Sequence, residues 1–279
     1  MVNRSYCAEL VRQQDSDRYL TALFAPAGRR EDVLALYAFN TEVARGRETV
    51  SEPMLGHIRL QWWRDAVAEC YAGEPRQHQV VQPLASAIRR RDLPRALFDR
   101  LIDAREMDLS DGPPDTLDQL VAYAEASSGS LTRLALFILG APGDAAQTAG
   151  GLVGTAWALA GLMRSLPHQL RQGRCLLPRD VMARHGVEER ELRAMKPSDA
   201  ICASVEEISV LIMKKLRKSR SSISNDAGPA LPALLPATLA DAYLARLSRL
   251  GHDPFDARNA APLRLRSWRL MARALAGRY

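Results

Sequence analysis

The sequence predicts an all-α protein. Apolar side chains recur at intervals of three and four residues along almost the whole chain, which is the period of an amphipathic helix. Alternating runs of β-branched residues, which would predict strands, do not occur in the sequence. With 279 residues, of which 47% are hydrophobic, the chain can bury a large core.

Turn residues divide this helical pattern into segments. Stretches typical of turns read AGEP at 72–75, DGPPD at 111–115, GAPGD at 140–144 and GHDP at 251–254. The periodicity between such breaks predicts helices at Arg29–Val50, Pro53–Tyr71, Gln82–Arg91, Pro94–Leu109, Thr116–Leu139, Ala145–Leu166, Ser198–Ser222, Ala230–Leu250 and Pro262–Ala276. Because no low-complexity linker or internal repeat separates these segments, we expect a single helical domain over residues 1–279.

Charge and cysteine content narrow the expected partners. The 38 basic and 32 acidic residues give a net charge of +6, which suits an anionic membrane surface or a phosphate ligand. Nothing in the sequence calls for nucleic acid, so we expect no nucleic-acid partner. The four cysteines lack C-x-x-C spacing and the five histidines lack ligand spacing, so we expect no metal site and no disulfide framework.

The N-terminal residues and the longest apolar run indicate whether the chain is secreted or crosses a membrane. The first twenty residues contain acids and no apolar run typical of a secretory signal. The run from Leu134 to Met163 is interrupted by Gly140, Pro142 and Gly143, whereas a membrane span needs roughly 20 consecutive apolar residues. We therefore predict no transmembrane segment and a cytoplasmic location, with peripheral contact with the inner membrane as a further expectation.

The C-terminal helix allows two interpretations. An apolar stripe is formed by Leu265, Trp268, either Met271 or Ala272, and Leu275, and a cationic stripe beside it contains Arg266, Arg269 and Arg273. One interpretation, the favoured one, is a helix whose apolar stripe is docked on its own domain with the arginines outside. The other is a helix that lies on an anionic bilayer.

Several stretches together resemble the squalene/phytoene synthase family. They read LYAFNTEVARGRETV, IRLQWWRDAV, REMDL, YAEASSGSL and GTAWALAGLMRSLPHQLRQGRCLLPRDVMARHG. Their order and spacing agree with the family from about Asp17 to the C-terminus. The resemblance implies an isoprenoid synthase-like helical bundle around a central cavity, in which two aspartate-rich motifs hold Mg²⁺ against prenyl diphosphates. Carboxylates are the ligands that Mg²⁺ prefers.

Both aspartate-rich motifs are degenerate in this sequence. The Tyr-Ala-Phe of the first motif is present at 37–39, but its acid positions fall on Ala44, Arg45 and Glu48. The two acid positions of the second motif fall on Ser165 and Gln169. We therefore expect no catalytic residues, no metal and no cofactor.

Four arginines and four polar residues in or near the family stretches are further candidates for ligand contacts. Guanidinium groups pair with phosphate without a metal, so the candidate contacts for a phosphate or a lipid headgroup are Arg45, Arg47, Arg164 and Arg174. The candidate polar residues of the cavity are Tyr37, Asn40, Asp108 and Tyr123.

The segment YAFNTEVARGRETVSEPMLGHIRLQWW is most similar to the branch of the family that contains a mitochondrial assembly factor of respiratory complex I. That resemblance implies a non-catalytic role in assembly of the complex, with one of its subunits as partner and an isoprenoid or anionic lipid as a possible ligand. The alternative is an active head-to-head prenyl diphosphate condensing transferase that uses Mg²⁺ in a non-standard site containing Glu48 and Asp108. A third interpretation is a protein-binding module with a collapsed cavity, and the oligomeric state is not predicted.

Overall fold

The structure, a computed structural model, describes residues 4–45, 53–110, 112–223 and 227–279. Within these ranges the chain forms helices and no strands, which confirms the predicted fold class. The α-helices are α1 (Tyr6–Gln14), α2 (Ser16–Ala22), α3 (Ala27–Ala44), α4 (Pro53–Ala72), α5 (Val81–Arg91), α6 (Arg95–Ala104), α7 (Leu117–Ala124), α8 (Ser130–Leu139), α9 (Asp144–Arg171), α10 (Arg179–His185), α11 (Glu189–Ala194), α12 (Asp199–Ser222), α13 (Leu231–Leu234), α14 (Pro236–Arg249), α15 (Ala257–Ala260) and α16 (Arg266–Leu275).

Within the described ranges, two 3₁₀ turns and one π turn lie between these α-helices. A 3₁₀ turn at Arg105–Leu109 continues α6, a π turn at Glu125–Gly129 joins α7 to α8, and a 3₁₀ turn at Gly228–Ala230 precedes α13. π turns are rare and occur mostly inside α-helices at sites under local constraint.

Helix α9 is the central element of the bundle. It is 28 residues long and packs against α8, α12 and α14. Helix α8 also packs against α3, so that it lies between α3 and α9. The residues that α9 buries include Val153, Ala156, Leu159 and Met163, at the spacing of one helical face. The two helices that carry the degenerate motifs are thus held by a shared neighbour.

A glycine lets α9 approach the π turn closely. A Cβ atom at Gly154 would collide with the backbone carbonyl of Ser128, which cannot move without disturbing the turn. Thr155, the next residue, donates a hydrogen bond to the carbonyl of Gly151 at 2.7 Å and is buried. The contact between α9 and the π turn therefore depends on the absence of a side chain at position 154.

The predicted helices are mostly present, and their ends differ for identifiable reasons. Helix α9 continues to Arg171, beyond the predicted end at Leu166, because it accommodates Pro167 in its interior. The segment predicted as one helix over Thr116–Leu139 contains the π turn, and the segment predicted over Ala230–Leu250 begins with a 3₁₀ turn and α13. Residues 46–50, where the first predicted helix ends, lie outside the described residues.

Several short helices were not predicted. Helices α2, α10, α11 and α15 have between four and seven residues, which is too few for a helical period to show in the sequence. Helix α1 has nine residues and begins with a capping signal that is visible in the sequence, since the Ser5 side chain accepts a hydrogen bond from the amide of Ala8 at 3.1 Å.

The favoured interpretation of the C-terminal helix is wrong. The side chains of Leu265, which caps the start of α16, and of Trp268, Met271 and Leu275 within it are 70%, 68%, 45% and 84% exposed. The helix contacts its domain mainly through Leu270, which is buried beside Leu239 and Tyr243. Because Leu270 lies on the side of the helix opposite Trp268 and Leu275, the apolar stripe points away from the domain.

In the described part of the chain, no helix combines the length and the apolar character that a membrane crossing requires. This agrees with the prediction made from the interrupted run 134–163.

Candidate functional site

The first degenerate motif lies at the C-terminal end of α3. Tyr37 and Asn40 are buried on this helix, Ala44 is its last residue, and Arg45 follows as the capping residue. Burial raises the pKa of Tyr37 to about 12, so its hydroxyl stays protonated at neutral pH. Arg47 and Glu48 lie outside the described residues.

The second degenerate motif is engaged with the backbone of its own helix. Gln169 donates a hydrogen bond from Nε2 to the Ser165 hydroxyl at 2.5 Å, and a second to the carbonyl of Leu162 at 3.3 Å. Ser165 donates to the same carbonyl at 3.3 Å. The two positions that carry acids in the family here bind the helix itself.

A polar network surrounds Asp108, in the 3₁₀ turn after α6. Its carboxylate accepts hydrogen bonds from the Tyr123 hydroxyl and from Arg174, both at 2.9 Å. Arg105 approaches the same carboxylate at 3.4 Å and donates to the Tyr123 hydroxyl at 2.9 Å and to Asn40 Oδ1 at 3.2 Å. The structure thus brings together four residues that the sequence singled out, and it joins them through Arg105, which the sequence analysis missed.

The electrostatics of this network favour charged arginine and neutral tyrosine. Burial lowers the pKa of Arg105, but Tyr123 and Asp108 beside it outweigh that effect and the pKa is raised. Burial is also the main cause that raises the pKa of Tyr123, against the opposing effect of Arg105. Two guanidinium groups face one carboxylate, which leaves the network with an excess positive charge.

Arg164 belongs to a second cluster. Its guanidinium carbon lies 3.6 Å from the centre of the Tyr243 ring, a cation–π distance. The Tyr243 hydroxyl donates to Asp17 at 2.7 Å, and Arg266 at the start of α16 pairs with the same carboxylate at 2.7 Å. Burial is the first cause that raises the pKa of Tyr243 to about 12. Arg164 and Arg174, which the sequence grouped as candidate phosphate contacts, therefore have separate partners.

Arg18 is a further residue that the sequence analysis missed. Its guanidinium lies 5.9 Å from the centre of the Tyr37 ring on α3 and 6.0 Å from that of Trp157 on α9. It also pairs with Asp15 at 2.9 Å and donates to the Ser128 hydroxyl at 2.7 Å. Arg18 stands in no recognisable motif, so no signal in one sequence separates it from surface arginines. Arg105 opens the stretch REMDL, but within that stretch only Asp108 was singled out.

The residues present do not fit a magnesium clamp. Positions 44, 45, 165 and 169 offer no carboxylate, and no group of three or more His, Cys, Asp or Glu side chains able to hold a metal occurs among the described residues. Three buried polar atoms here have no hydrogen-bond partner within the described ranges, namely Arg105 Nε, Arg164 Nε and Gln169 Oε1. Two of them are cationic donors, which suit an anionic or polar group better than a metal ion.

A pocket adjoins Arg174 at the end of α9. It has a volume of about 440 Å³ and lies between α9, α10 and α11. Leu170, Met182 and Leu192 supply apolar walls, and Arg174 and Arg193 supply positive charge. Pockets of about 300–1,000 Å³ with apolar walls and a few polar groups are typical of small-molecule sites.

This helical bundle has the architecture of the isoprenoid synthase fold. The structure superimposes on squalene synthase HpnC from Alicyclobacillus acidocaldarius with a TM-score of 0.77 and 24% sequence identity, covering 89% of this chain and 94% of that one. A dehydrosqualene synthase in complex with ligand gives a TM-score of 0.83 at 19% identity, covering 96% of this chain and 93% of that one. These likenesses define the class of fold.

The chain belongs to the squalene/phytoene synthase family, whose model matches residues 11–269. Among named relatives, complex I assembly factor 6 of Rattus norvegicus is 32% identical over 250 residues, which cover 90% of this chain and 75% of that protein. The resemblance drawn from the motifs is thereby confirmed, both for the family and for the branch that it indicated.

Proposed function

We propose that this protein is a non-catalytic member of the squalene/phytoene synthase family that acts in the assembly of respiratory complex I. The name of the rat relative, an assembly factor of that complex, supports the role. A subunit of the complex is the expected protein partner. The expected place of action is the cytoplasmic side of the inner membrane, where that partner would be reached.

The proposal that this protein is non-catalytic rests on the two residues that occupy the acid positions of the second motif. Gln169 donates to the Ser165 hydroxyl, and both side chains donate to the carbonyl of Leu162, at the two positions where the family has carboxylates that hold Mg²⁺. A neutral serine and amide pair cannot replace the charge that neutralises a departing diphosphate. The arginines beside Asp108 add positive charge, which opposes a metal ion in the same region.

The decisive experiment for this part is an assay of diphosphate release. Purified full-length protein would be given Mg²⁺ with farnesyl or geranylgeranyl diphosphate, beside an authentic synthase as positive control. We expect no release above the blank without protein. Release that a chelator abolishes would contradict the proposal and support the alternative prenyltransferase.

The assembly role is tested by deleting the gene in its host and measuring assembled complex I. We expect the deletion to lower complex I and the wild-type chain to restore it. The Glu48→Gln variant should restore it equally well, because the proposed role does not need the one acid that remains of the first motif. Normal complex I in the deletion strain would refute the role, and failure of Glu48→Gln alone would point to surviving catalysis.

We extend the proposal to a ligand, an isoprenoid or anionic lipid whose charged head pairs with arginine. The pocket beside Arg174 combines apolar walls with positive charge, which Glu189 offsets in part by pairing with Arg193. Outside the pocket lining, Arg105 Nε and Arg164 Nε are buried donors without partners among the described residues. An unsatisfied buried donor costs about 1–3 kcal/mol, so a ligand oxygen there would be stabilised.

Binding of farnesyl diphosphate without metal, measured by calorimetry, tests this ligand class. Arg193→Ala, on the pocket wall, should weaken binding by about tenfold, since an arginine–phosphate pair is a charge-assisted hydrogen bond. The matched control is Arg171→Ala, an exposed arginine of the same region that does not line the pocket. Unchanged binding in Arg193→Ala, or equal loss in both variants, would exclude the pocket.

A further inference from the structure

The C-terminal helix α16 exposes a continuous apolar surface. Leu265, Trp268, Met271 and Leu275 recur at three- and four-residue intervals and are between 45% and 84% exposed. Leu270 alone of the helix's apolar residues is fully buried, and Arg266 ties the start of the helix to Asp17 at 2.7 Å. The helix is thus fastened along one edge, while four large apolar side chains point away from the domain. We call these four side chains the outer face of α16.

Unpaired arginines lie beside the outer face. The side chains of Arg264, Arg269, Arg273 and Arg278 are exposed and make no hydrogen bond or ion pair within the described ranges. Arg264 and Arg269 also line a groove of about 630 Å³ between α14 and the segment 258–269, whose lining includes Ala242 and Ala245. These arginines therefore lie at the border of the apolar surface. If lipid acyl chains covered that surface, the lipid headgroups would lie beside the arginines.

A second basic segment adjoins the end of α16. The hydroxyl of Tyr279 donates to the carbonyl of Ser219 at 2.9 Å, and Arg220 donates to the carbonyl of Tyr279 at 2.8 Å. These bonds fix the last residues of the chain against the last turns of α12, where Lys214 and Lys218 are exposed. The cationic character around α16 thus extends beyond the helix itself.

From this arrangement we propose that α16 docks the protein on an anionic lipid bilayer, with the outer face in the interface and the neighbouring arginines at the phosphates. Amphipathic helices with Trp and Leu on one side and arginine on the other bind in this way, and each basic residue near an anionic surface adds to the attraction. A second copy of the chain is a poorer occupant, because a symmetric contact through this face would bring the same unpaired arginines together.

Docking on a bilayer has its biological meaning through the proposed role at the membrane, and it therefore rests on that proposed function. Binding to lipid can nevertheless be tested separately from the assembly role. Full-length protein would be floated with vesicles of phosphatidylcholine alone or mixed with phosphatidylglycerol, at low and high salt. We expect binding to the anionic vesicles, reduced by salt. The Trp268→Glu, Leu275→Glu double variant should bind about tenfold more weakly or not at all, because it places charge in the interface.

Two further variants complete the experiment. Arg269→Gln with Arg273→Gln should lower binding to the anionic vesicles by about tenfold without changing the apolar surface. Met54→Glu, at a side chain that is 70% exposed on α4, is the matched control and should bind like the wild type. Thermal unfolding of each variant verifies that it is folded.

Four outcomes would overturn the docking inference. The first three are wild-type protein that does not float, a double variant that floats like the wild type, and a loss of binding in Met54→Glu equal to that of the double variant. The fourth is a wild-type protein that forms a dimer in solution and a double variant that is monomeric, with neither protein binding vesicles. Failure of the assembly role would instead appear as normal complex I in the deletion strain, whatever the vesicles show.

Discussion

The arginines around Asp108 and the arginines along α16 carry the same charge in opposite surroundings. Arg105 and Arg174 are largely buried and share the Asp108 carboxylate, and Arg105 also donates to the Tyr123 hydroxyl. Arg269 and Arg273 are exposed and have no partner among the described residues. Inner arginines are therefore part of what holds the helices together, whereas the stability of the fold gives no reason for the outer ones.

The largest expected effect comes from removing the inner carboxylate. Asp108→Asn leaves two guanidinium groups without their shared counter-charge, and breaking a buried pair in this way costs about 3–5 kcal/mol. We expect urea denaturation to show a loss of that order in the free energy of unfolding. Asp103→Asn, whose side chain is 61% exposed and pairs with Arg64 at the surface, should cost less than about 1 kcal/mol. Similar losses in both variants would remove the distinction between inner and outer charges.

The next largest effect is expected at the contact between α9 and the π turn. Gly154→Ala would put a methyl group against the Ser128 carbonyl and should destabilise the protein by about 1–3 kcal/mol. On the same helix, Gly161→Ala meets no atom within 4 Å and should stabilise the protein by roughly 0.5–1 kcal/mol through helix propensity. Thermal unfolding of the two variants measures both effects. If Gly161→Ala were the more harmful, α9 would be packed on the other side.

A smaller effect is expected at high pH. Burial is the main cause that raises the pKa of the Cys7 and Cys70 thiols to about 11 each. Unfolded thiols ionise near pH 8.5, so between about pH 9 and pH 11 the unfolded state releases protons that the folded state retains, and stability falls. We expect each thiol to contribute a loss of about 1–2 kcal/mol by pH 10.

The variant that combines Cys7→Ala with Cys70→Ala provides the control. Whatever its stability at neutral pH, its free energy of unfolding should fall less steeply between pH 8 and pH 10, with Tyr37 as a remaining contributor. An unchanged slope would show that the two thiols are not responsible.

The smallest effect is expected at the outer arginines. Arg269→Ala and Arg273→Ala should each change the free energy of unfolding by less than about 0.5 kcal/mol, since exposed side chains without partners contribute little. Chemical denaturation without lipid measures this. A loss comparable to that of Asp108→Asn would mean that the outer arginines also stabilise the fold.

Sequence analysis reached the family, the helical class and the residues around Asp108, because motif order and helical period are properties that one sequence displays. Asp108 and Tyr123, 15 residues apart, were both candidate cavity residues from the family pattern, and the structure shows them in contact at 2.9 Å. Arg18 could not be found in this way, and Arg105 was passed over although it lies in the family stretch REMDL. An arginine that is paired in the interior and one that is solvated have the same local sequence, and the difference arises only when distant helices meet.

The direction of α16 was missed for a related reason. Its apolar stripe at Leu265, Trp268 and Leu275 is clear in the sequence, and apolar stripes of helices usually face the core. The single side chain that does face the core, Leu270, lies on the opposite side and is one residue among arginines. Periodicity identifies an amphipathic helix, but it does not determine which side the rest of the protein covers.

The π turn at Glu125–Gly129 has a consequence for how this region tolerates change in length. Such a turn holds one residue more than the surrounding α-helix requires. Because a π turn rotates less per residue than an α-helix, its five residues cover about the same angle as four residues at 100° each. Deleting one residue of the turn would therefore let α7 and α8 join as a regular helix in which Tyr123 and the core side chains of α8 keep nearly the same directions. The same deletion elsewhere in α7 or α8 would rotate one part by about 100° relative to the other, so the π turn is the place where this long segment can lose a residue at least cost.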